Sequence, residues 1–152
     1  MKLELLIPPP IVALLCAALI WGAGIVFAQF NISSNVLSWV GLIMIGLGLL
    51  IDVVSALLFM KRKTTINPMK PGDSEKLVTD GFYTFTRNPM YLGLLFILIG
   101  IALRTGSLFA MPILVGFVAY LTQFQIKPEE KALEETFGDE FRDYLNRVRR
   151  WL

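Results

Sequence analysis

The chain has 152 residues, 55% of them hydrophobic and 17% charged, with a formal net charge of +2. Soluble domains carry about 25% charged residues, so the composition points to a membrane protein of one domain and offers no nucleic-acid-binding face. Histidine is absent and Cys16 is the one cysteine, which excludes histidine metal sites, histidine bases and an intrachain disulfide.

Met1-Lys2-Leu3-Glu4 is a poor signal-peptide start because Glu4 offsets Lys2, and no secretory signal is expected. Pro8-Pro9-Pro10 suits the start of a helix. Residues 11–30 then run without a charge, about 30 Å as a helix, the depth of a bilayer core. Cys16 lies in this run and reads as a small packing residue. Asn31-Ile32-Ser33-Ser34-Asn35 is a short polar link, and its glycosylation pattern reads as chance.

Residues 36–60 form a second apolar run with one charge, Asp52. An ionisable residue inside a membrane helix is a functional candidate by default. Asp52 lies about 13 Å along the helix from Lys61, so it can face a cavity or bond a neighbouring helix. Gly22-Ala23-Gly24 and Gly46-Leu47-Gly48 read as positions of close helix packing.

The segment 61–88 is a charged loop. Residues 89–103 are apolar but short for a span, Arg104-Thr105-Gly106 reads as a tight turn, and residues 107–126 form a fourth apolar run. The tail, 127–152, places Leu133, Phe137, Phe141, Tyr144, Val148 and Trp151 on one helical stripe. Pro128 suits its first turn, Asp143 and Arg147 are spaced to pair, and Asp139 is placed to cap a second half after a break at Gly138.

The expected fold is an all-α integral membrane protein, one domain over residues 1–152. It has about four membrane helices (11–30, 36–60, 89–103, 107–126), a loop at 61–88 and a C-terminal amphipathic helix. Lys2, six cations of the loop and six of the tail share one side; Arg104 alone lies opposite. Positive charge favours the cytoplasm, so both termini are expected there.

Chemistry gathers at that cytoplasmic end. The third and fourth helices form a hairpin, which brings Arg87, Asn88 and Tyr91 towards Glu129 and Glu130. Arginine recognises carboxylate or phosphate with paired donors. The helix opening at Pro89 presents N–H groups to an anion, and a carboxylate takes an ammonium or a diol. A zwitterionic cofactor with an amino acid end and a sugar suits this set. An Arg87–glutamate clasp of purely structural purpose suits it equally, although Glu130 and Glu134 are like charges one turn apart.

Three motifs now carry a resemblance: Leu77-Val78-Thr79-Asp80-Gly81-Phe82-Tyr83, Arg87-Asn88-Pro89-Met90-Tyr91-Leu92-Gly93, and Glu129-Glu130 followed by Phe137-Gly138-Asp139-Glu140-Phe141. In this order they resemble the isoprenylcysteine carboxyl methyltransferase and phospholipid N-methyltransferase group of membrane enzymes, over roughly residues 61–150. Asn88 stands where the carboxyl methyltransferase branch has histidine, and Phe82 where proline is frequent. Gly46-Leu47-Gly48 faintly echoes a Gly-x-Gly of the phospholipid branch.

The resemblance implies S-adenosylmethionine as cofactor, held by Gly81, Tyr83, Arg87, Asn88, Pro89, Tyr91, Glu129 and Glu130, with no metal. It implies Arg87 and Glu130 as catalytic residues, Arg87 holding a carboxylate acceptor or Glu130 taking a proton from an amine or thiol. The acceptor is expected to be a lipophilic small molecule or lipidated substrate entering from the bilayer. The expected location is the cytoplasmic membrane of a prokaryote. Competing readings are a small proton-coupled transporter using Asp52, a nicotinamide-dependent membrane reductase and a non-catalytic subunit.

Overall fold

A computed structural model describes residues 4–62 and 77–152, with the backbone alone for Arg62. Lys2 and half of the 61–88 loop, including Lys63, Lys70 and Lys76, lie outside the described residues. The described chain is helical: α1 (Pro9–Val26), α2 (Asn35–Arg62), α3 (Pro89–Thr105), α4 (Ala110–Leu121), α5 (Lys127–Phe137) and α6 (Asp139–Arg147). A π-helical turn, Thr122–Ile126, joins α4 to α5. Short 3-10 turns lie at Ala28–Phe30 and Gly81–Thr84.

Among the described residues two helices, rather than the four expected, are long and apolar enough to cross a membrane: Pro9–Val26 and Asn35–Lys61. Their surfaces point outward. Leu14, Leu19, Trp21 and Ile25 on α1 and Val36, Trp39, Ile43 and Met60 on α2 are all exposed, as helices solvated by lipid require. The third run falls short because Pro89 fixes its start and Gly106 ends it. Gly106 adopts a left-handed φ of 64° and donates its N–H to the Ala102 carbonyl, a C-terminal stop that glycine adopts without strain. The resulting 17 residues span about 26 Å. The fourth run is divided, since α4 starts only at Ala110 and its last turn is π-helical.

The core lies where α1, α3 and α4 meet, around Ile20, Leu98, Phe117 and Leu121, each almost wholly buried. The N-terminal segment is tied to this bundle by a Leu5 N–H bond to the Phe124 carbonyl at 3.0 Å.

The tightest pairing is α2 against α3. A methyl built on Gly41 would meet the Gly100 carbonyl oxygen at 2.6 Å, and one on Gly48 would meet that of Gly93 at 2.5 Å. The two glycines of each helix are seven residues apart, so both fall on one face, and the helices run antiparallel in register. Small residues let membrane helices approach until backbones touch. Gly48 and Gly24 thus serve packing as expected, whereas Gly46 and Gly22 have nothing within 4 Å.

The tail forms two helices, with the break where the sequence places it. Gly138 interrupts it with φ 54° and ψ −123°. Asp139 does not cap α6; its carboxylate accepts from Arg142 at 3.1 Å. The Asp143–Arg147 pair is replaced by a bond from Arg147 Nε to the Asp143 carbonyl at 3.2 Å. The stripe itself holds, with Phe141 and Tyr144 buried.

Gly100→Ala should cost about 1–3 kcal/mol of stability, because its methyl meets the Gly41 carbonyl and forces the helices apart. Gly46→Ala, in open space, should be neutral or stabilising by up to about 1 kcal/mol. Thermal unfolding of both variants in one detergent checks this; equal midpoints would refute the glycine contact.

Candidate functional site

The site is built where the start of α3 meets the tail. Gly81 opens the 3-10 turn that leads in. It holds φ 62°, and a methyl on it would strike Leu58 Cδ1 at 2.5 Å, so its role here is backbone shape. The turn buries Tyr83, whose ring lies edge-on to Phe59 at 5.5 Å. The Tyr144 hydroxyl donates to the Tyr83 carbonyl at 2.7 Å, which fastens α6 to the turn. Burial pushes the Tyr83 phenol upward, reinforced by Tyr144, Glu129 and Asp52.

Arg87 is the hub. Its Nη1 donates to the carbonyls of Leu145 and Val148, both at 3.0 Å, and its Nη2 donates to Glu130 Oε1 at 2.8 Å. The Leu145 carbonyl belongs to the last turn of α6, where acceptors lack helical partners and a cation is favoured. Arg150 reaches the same glutamate, Nε to Oε1 at 3.1 Å and Nη2 to Oε2 at 2.6 Å. Glu130 thus lies between two guanidinium groups. The Arg87 side chain is 12% exposed and that of Glu130 15%, so water screens this pair less than a surface pair.

The backbone continues the clasp. Thr86 and Arg149 form an isolated parallel bridge, with the Arg87 N–H on the Arg149 carbonyl at 2.9 Å. Asn88 turns to the tail, its Nδ2 donating to the Arg150 carbonyl at 2.8 Å. Pro89 takes the first turn of α3, where its missing N–H has no consequence. Trp151 Nε1 donates to Thr122 Oγ1 at 3.1 Å.

Glu129 has a different environment. Its Oε1 accepts from the Tyr91 hydroxyl at 2.5 Å and from Gln125 Nε2 at 2.6 Å. The π turn buries Gln125, and such turns recur at functional sites. Burial pushes the Glu129 carboxyl up to about 7, with the bonds from Tyr91 and Gln125 pulling it down and Glu130 pushing it up.

Arg87 and Tyr91 therefore meet the paired glutamates, one each, while Asn88 binds the tail instead. Sequence reasoning missed Arg150 and Gln125. Arg150 carries a signal only as one of the tail's positive charges, between Val148 and Trp151 of the apolar stripe. Gln125 was a polar residue in an apolar run, one turn before Glu129. Among the described residues no cluster suits a metal ion.

The donor set suits a zwitterionic cofactor. Arg87 Nε is buried without a hydrogen-bond partner, a donor left over after Glu130 and the tail carbonyls are served. Glu129 supplies a carboxylate outside the Arg87–Arg150 pair. The N-cap of α3 makes no side-chain bond to its first turn.

Glu129 also makes stability depend on pH. Folded chain keeps its proton to about 7, whereas unfolded chain gives it up near the ordinary value of 4.5. This contribution is fully present below pH 4.5 and is lost as pH rises through 7, at up to about 1.4 kcal/mol per pH unit. Denaturation of wild type and Glu129→Gln between pH 4 and 8 should therefore show stabilities that diverge over that window, wild type falling more. Parallel profiles would contradict the burial of this carboxyl.

A model of the phospholipid methyltransferase family matches residues 36–140. An uncharacterized protein of Haemophilus influenzae is 48% identical over 63 residues, which is 41% of this chain and the whole of that protein. Two probable protein-S-isoprenylcysteine O-methyltransferases, of Oryza sativa subsp. indica and subsp. japonica, are each 30% identical over 115 residues, 73% of this chain. The chain spans 58% of the length of these rice proteins. No solved structure matches. The family match covers well over half of the chain and takes in Gly81, Arg87, Tyr91, Glu129 and Glu130. The chain belongs to the phospholipid methyltransferase family.

Proposed function

We propose that residues 1–152 form one membrane-embedded enzyme that transfers a methyl group from S-adenosylmethionine to a lipophilic acceptor at the cytoplasmic membrane face. The observation that carries this is the Arg87–Glu130–Arg150 network beside Tyr91–Glu129, set at one end of an apolar bundle in a methyltransferase family. The rice relatives' description as isoprenylcysteine O-methyltransferases supports a lipidated or lipid-like acceptor. The transporter and reductase readings lack comparable support.

In this reading Arg87 and Arg150 receive the carboxylate of the cofactor, and Glu129 or Glu130 its ammonium or ribose diol. Gly81 and Tyr83 shape the wall, and Pro89 and Asn88 place the first turn of α3. The cofactor supplies an activated methyl group. The chain's own task is alignment and exclusion of water. Glu130 is held by two guanidinium groups, whereas Glu129 titrates near neutrality. Glu130, held by Arg87, is the candidate to accept a proton from an acceptor, and Glu129 beside it is a second.

Both termini are placed in the cytoplasm, in keeping with the distribution of Lys and Arg. The membrane is taken as the cytoplasmic membrane of a prokaryote.

Calorimetric titration of S-adenosylmethionine into detergent-purified protein tests the assignment. Arg87→Ala and Glu130→Gln should each lower affinity at least about tenfold, as loss of a charge-assisted hydrogen bond implies. Arg87→Ala should also lower the unfolding midpoint, since it releases the end of α6. Unaltered binding by both variants would remove these residues from the cofactor site, and saturable binding of NADPH alone would favour a reductase.

Topology is tested by labelling single cysteines in a Cys16→Ala background. Ser34→Cys should react with an impermeant reagent from outside intact cells, and Glu135→Cys only after lysis. The reverse pattern would invert the orientation.

A further inference from the structure

At the end of the bundle away from Glu130, a groove of about 700 Å³ lies between α3 and α4, with Leu37 in the first turn of α2 as its third side. It is lined almost wholly by apolar atoms, from Leu95 to Gly106 along α3 and from Met111 to Ala119 along α4. No residue of the proposed cofactor site lines it. Its volume falls in the range of about 300–1,000 Å³ that takes a small ligand. From Leu95 to Gly106 it runs about 16 Å along the helix, roughly half of the 30 Å of a bilayer core. The groove is therefore as deep as one leaflet. Leu108, Met111 and Val115 on its rim are exposed.

A cation stands at the head of this groove. Arg104 falls in the chain between the lining residues Leu103 and Gly106, and it is exposed. Its stem lies over α2, since a methyl on Gly41 would meet Arg104 Cγ at 2.9 Å. Gly41 is one turn from Leu37. Among the described residues no carboxylate pairs with Arg104. The sequence has no Asp or Glu from 5 to 51 or from 81 to 128, so the helix segments at this end supply none. Trp39, close to Leu37 and 68% exposed, is of the residue type that settles at headgroup level.

A guanidinium at that level calls for an anion, and a phosphate accepts two of its donors. An ammonium on the same headgroup would meet no carboxylate. An apolar channel one leaflet deep beneath a lone cation matches an acyl chain under a phosphate head of net negative charge. An apolar helix of another chain would fill the channel and leave Arg104 unmatched.

We infer that this groove binds one anionic phospholipid, its chain along α3 and α4 and its phosphate on Arg104. The lipid is a resident ligand that closes the gap between the two helices, at the opposite end of the bundle from the proposed methyl transfer. The inference does not rest on the methyltransferase reading.

Native mass spectrometry of the delipidated full chain in detergent tests it, with phosphatidylglycerol and phosphatidylethanolamine of equal chains as probes. Wild type should retain phosphatidylglycerol at about tenfold lower concentration than phosphatidylethanolamine. Arg104→Gln should bring the two to within about twofold. Ala119→Phe adds a ring to the groove wall at an exposed position of α4, so it folds even if Arg104→Gln does not. It should weaken retention of both lipids at least about fivefold. Equal retention of the two lipids by wild type would overturn the site. So would a preference that Arg104→Gln leaves unchanged, or retention that Ala119→Phe leaves unchanged. A dimer without bound lipid, dissociated by Ala119→Phe, would assign the groove to a second copy of the chain and overturn the lipid site.

S-adenosylmethionine titrated into the same proteins separates the two sites. Both variants should bind it as wild type does. Variants that lose it together with the lipid would join the groove to the cofactor site and overturn a separate lipid site. Wild type that retains the lipid but binds no S-adenosylmethionine would remove the cofactor reading and leave the groove standing.

Discussion

A buried guanidinium group needs acceptors, and Arg87 finds them for Nη1 and Nη2, though not for Nε, by drawing the tail onto the start of α3. Two main-chain carbonyls and one carboxylate surround it. Leaving a buried charge without its partner costs about 3–5 kcal/mol, so the tail cannot move away without a replacement for those acceptors. This constraint explains why Thr86, Asn88, Tyr144 and Trp151 all bond across the same junction. It also reconciles the structural and functional readings of Arg87. The clasp that closes the fold is also where the proposed cofactor site lies.

The second constraint is the glycine contact between α2 and α3. Gly41 on Gly100 and Gly48 on Gly93 fix both distance and register. One turn beyond Gly48, that register delivers Asp52 to Gly93. A helix pair held by side chains would stand farther apart and keep the carboxylate away from α3. The packing of the membrane part and the placement of Asp52 therefore follow from one register.

Much of this was legible beforehand. The hairpin of α3 and α4 brings Arg87 and Tyr91 to Glu129 and Glu130 because two apolar runs with a short turn must return the chain to its starting level. The break at Gly138 and the apolar stripe of the tail were legible from local rules. The count of spanning helices was not, because hydropathy does not register the late start of α4 at Ala110 or the π turn at Thr122–Ile126. Nor did local rules place Arg150 on Glu130 or Asn88 on the Arg150 carbonyl. Those bonds join residues about 20 and 62 positions apart and depend on where the tail folds back, which the motifs alone do not encode.

The return of the tail has a bearing on biosynthesis. Domains form from the N-terminus as the chain emerges, so α1, α2 and α3 can pack before Arg149 and Arg150 exist. Glu130 then has Arg87 as partner while the acceptors at Leu145, Val148 and Arg149 are still to come. The last few residues thus complete the Arg87–Glu130–Arg150 network on an already packed bundle. A chain interrupted near its end would keep its apolar helices in the bilayer yet lack the second guanidinium, and it would persist there as an inserted but chemically incomplete protein.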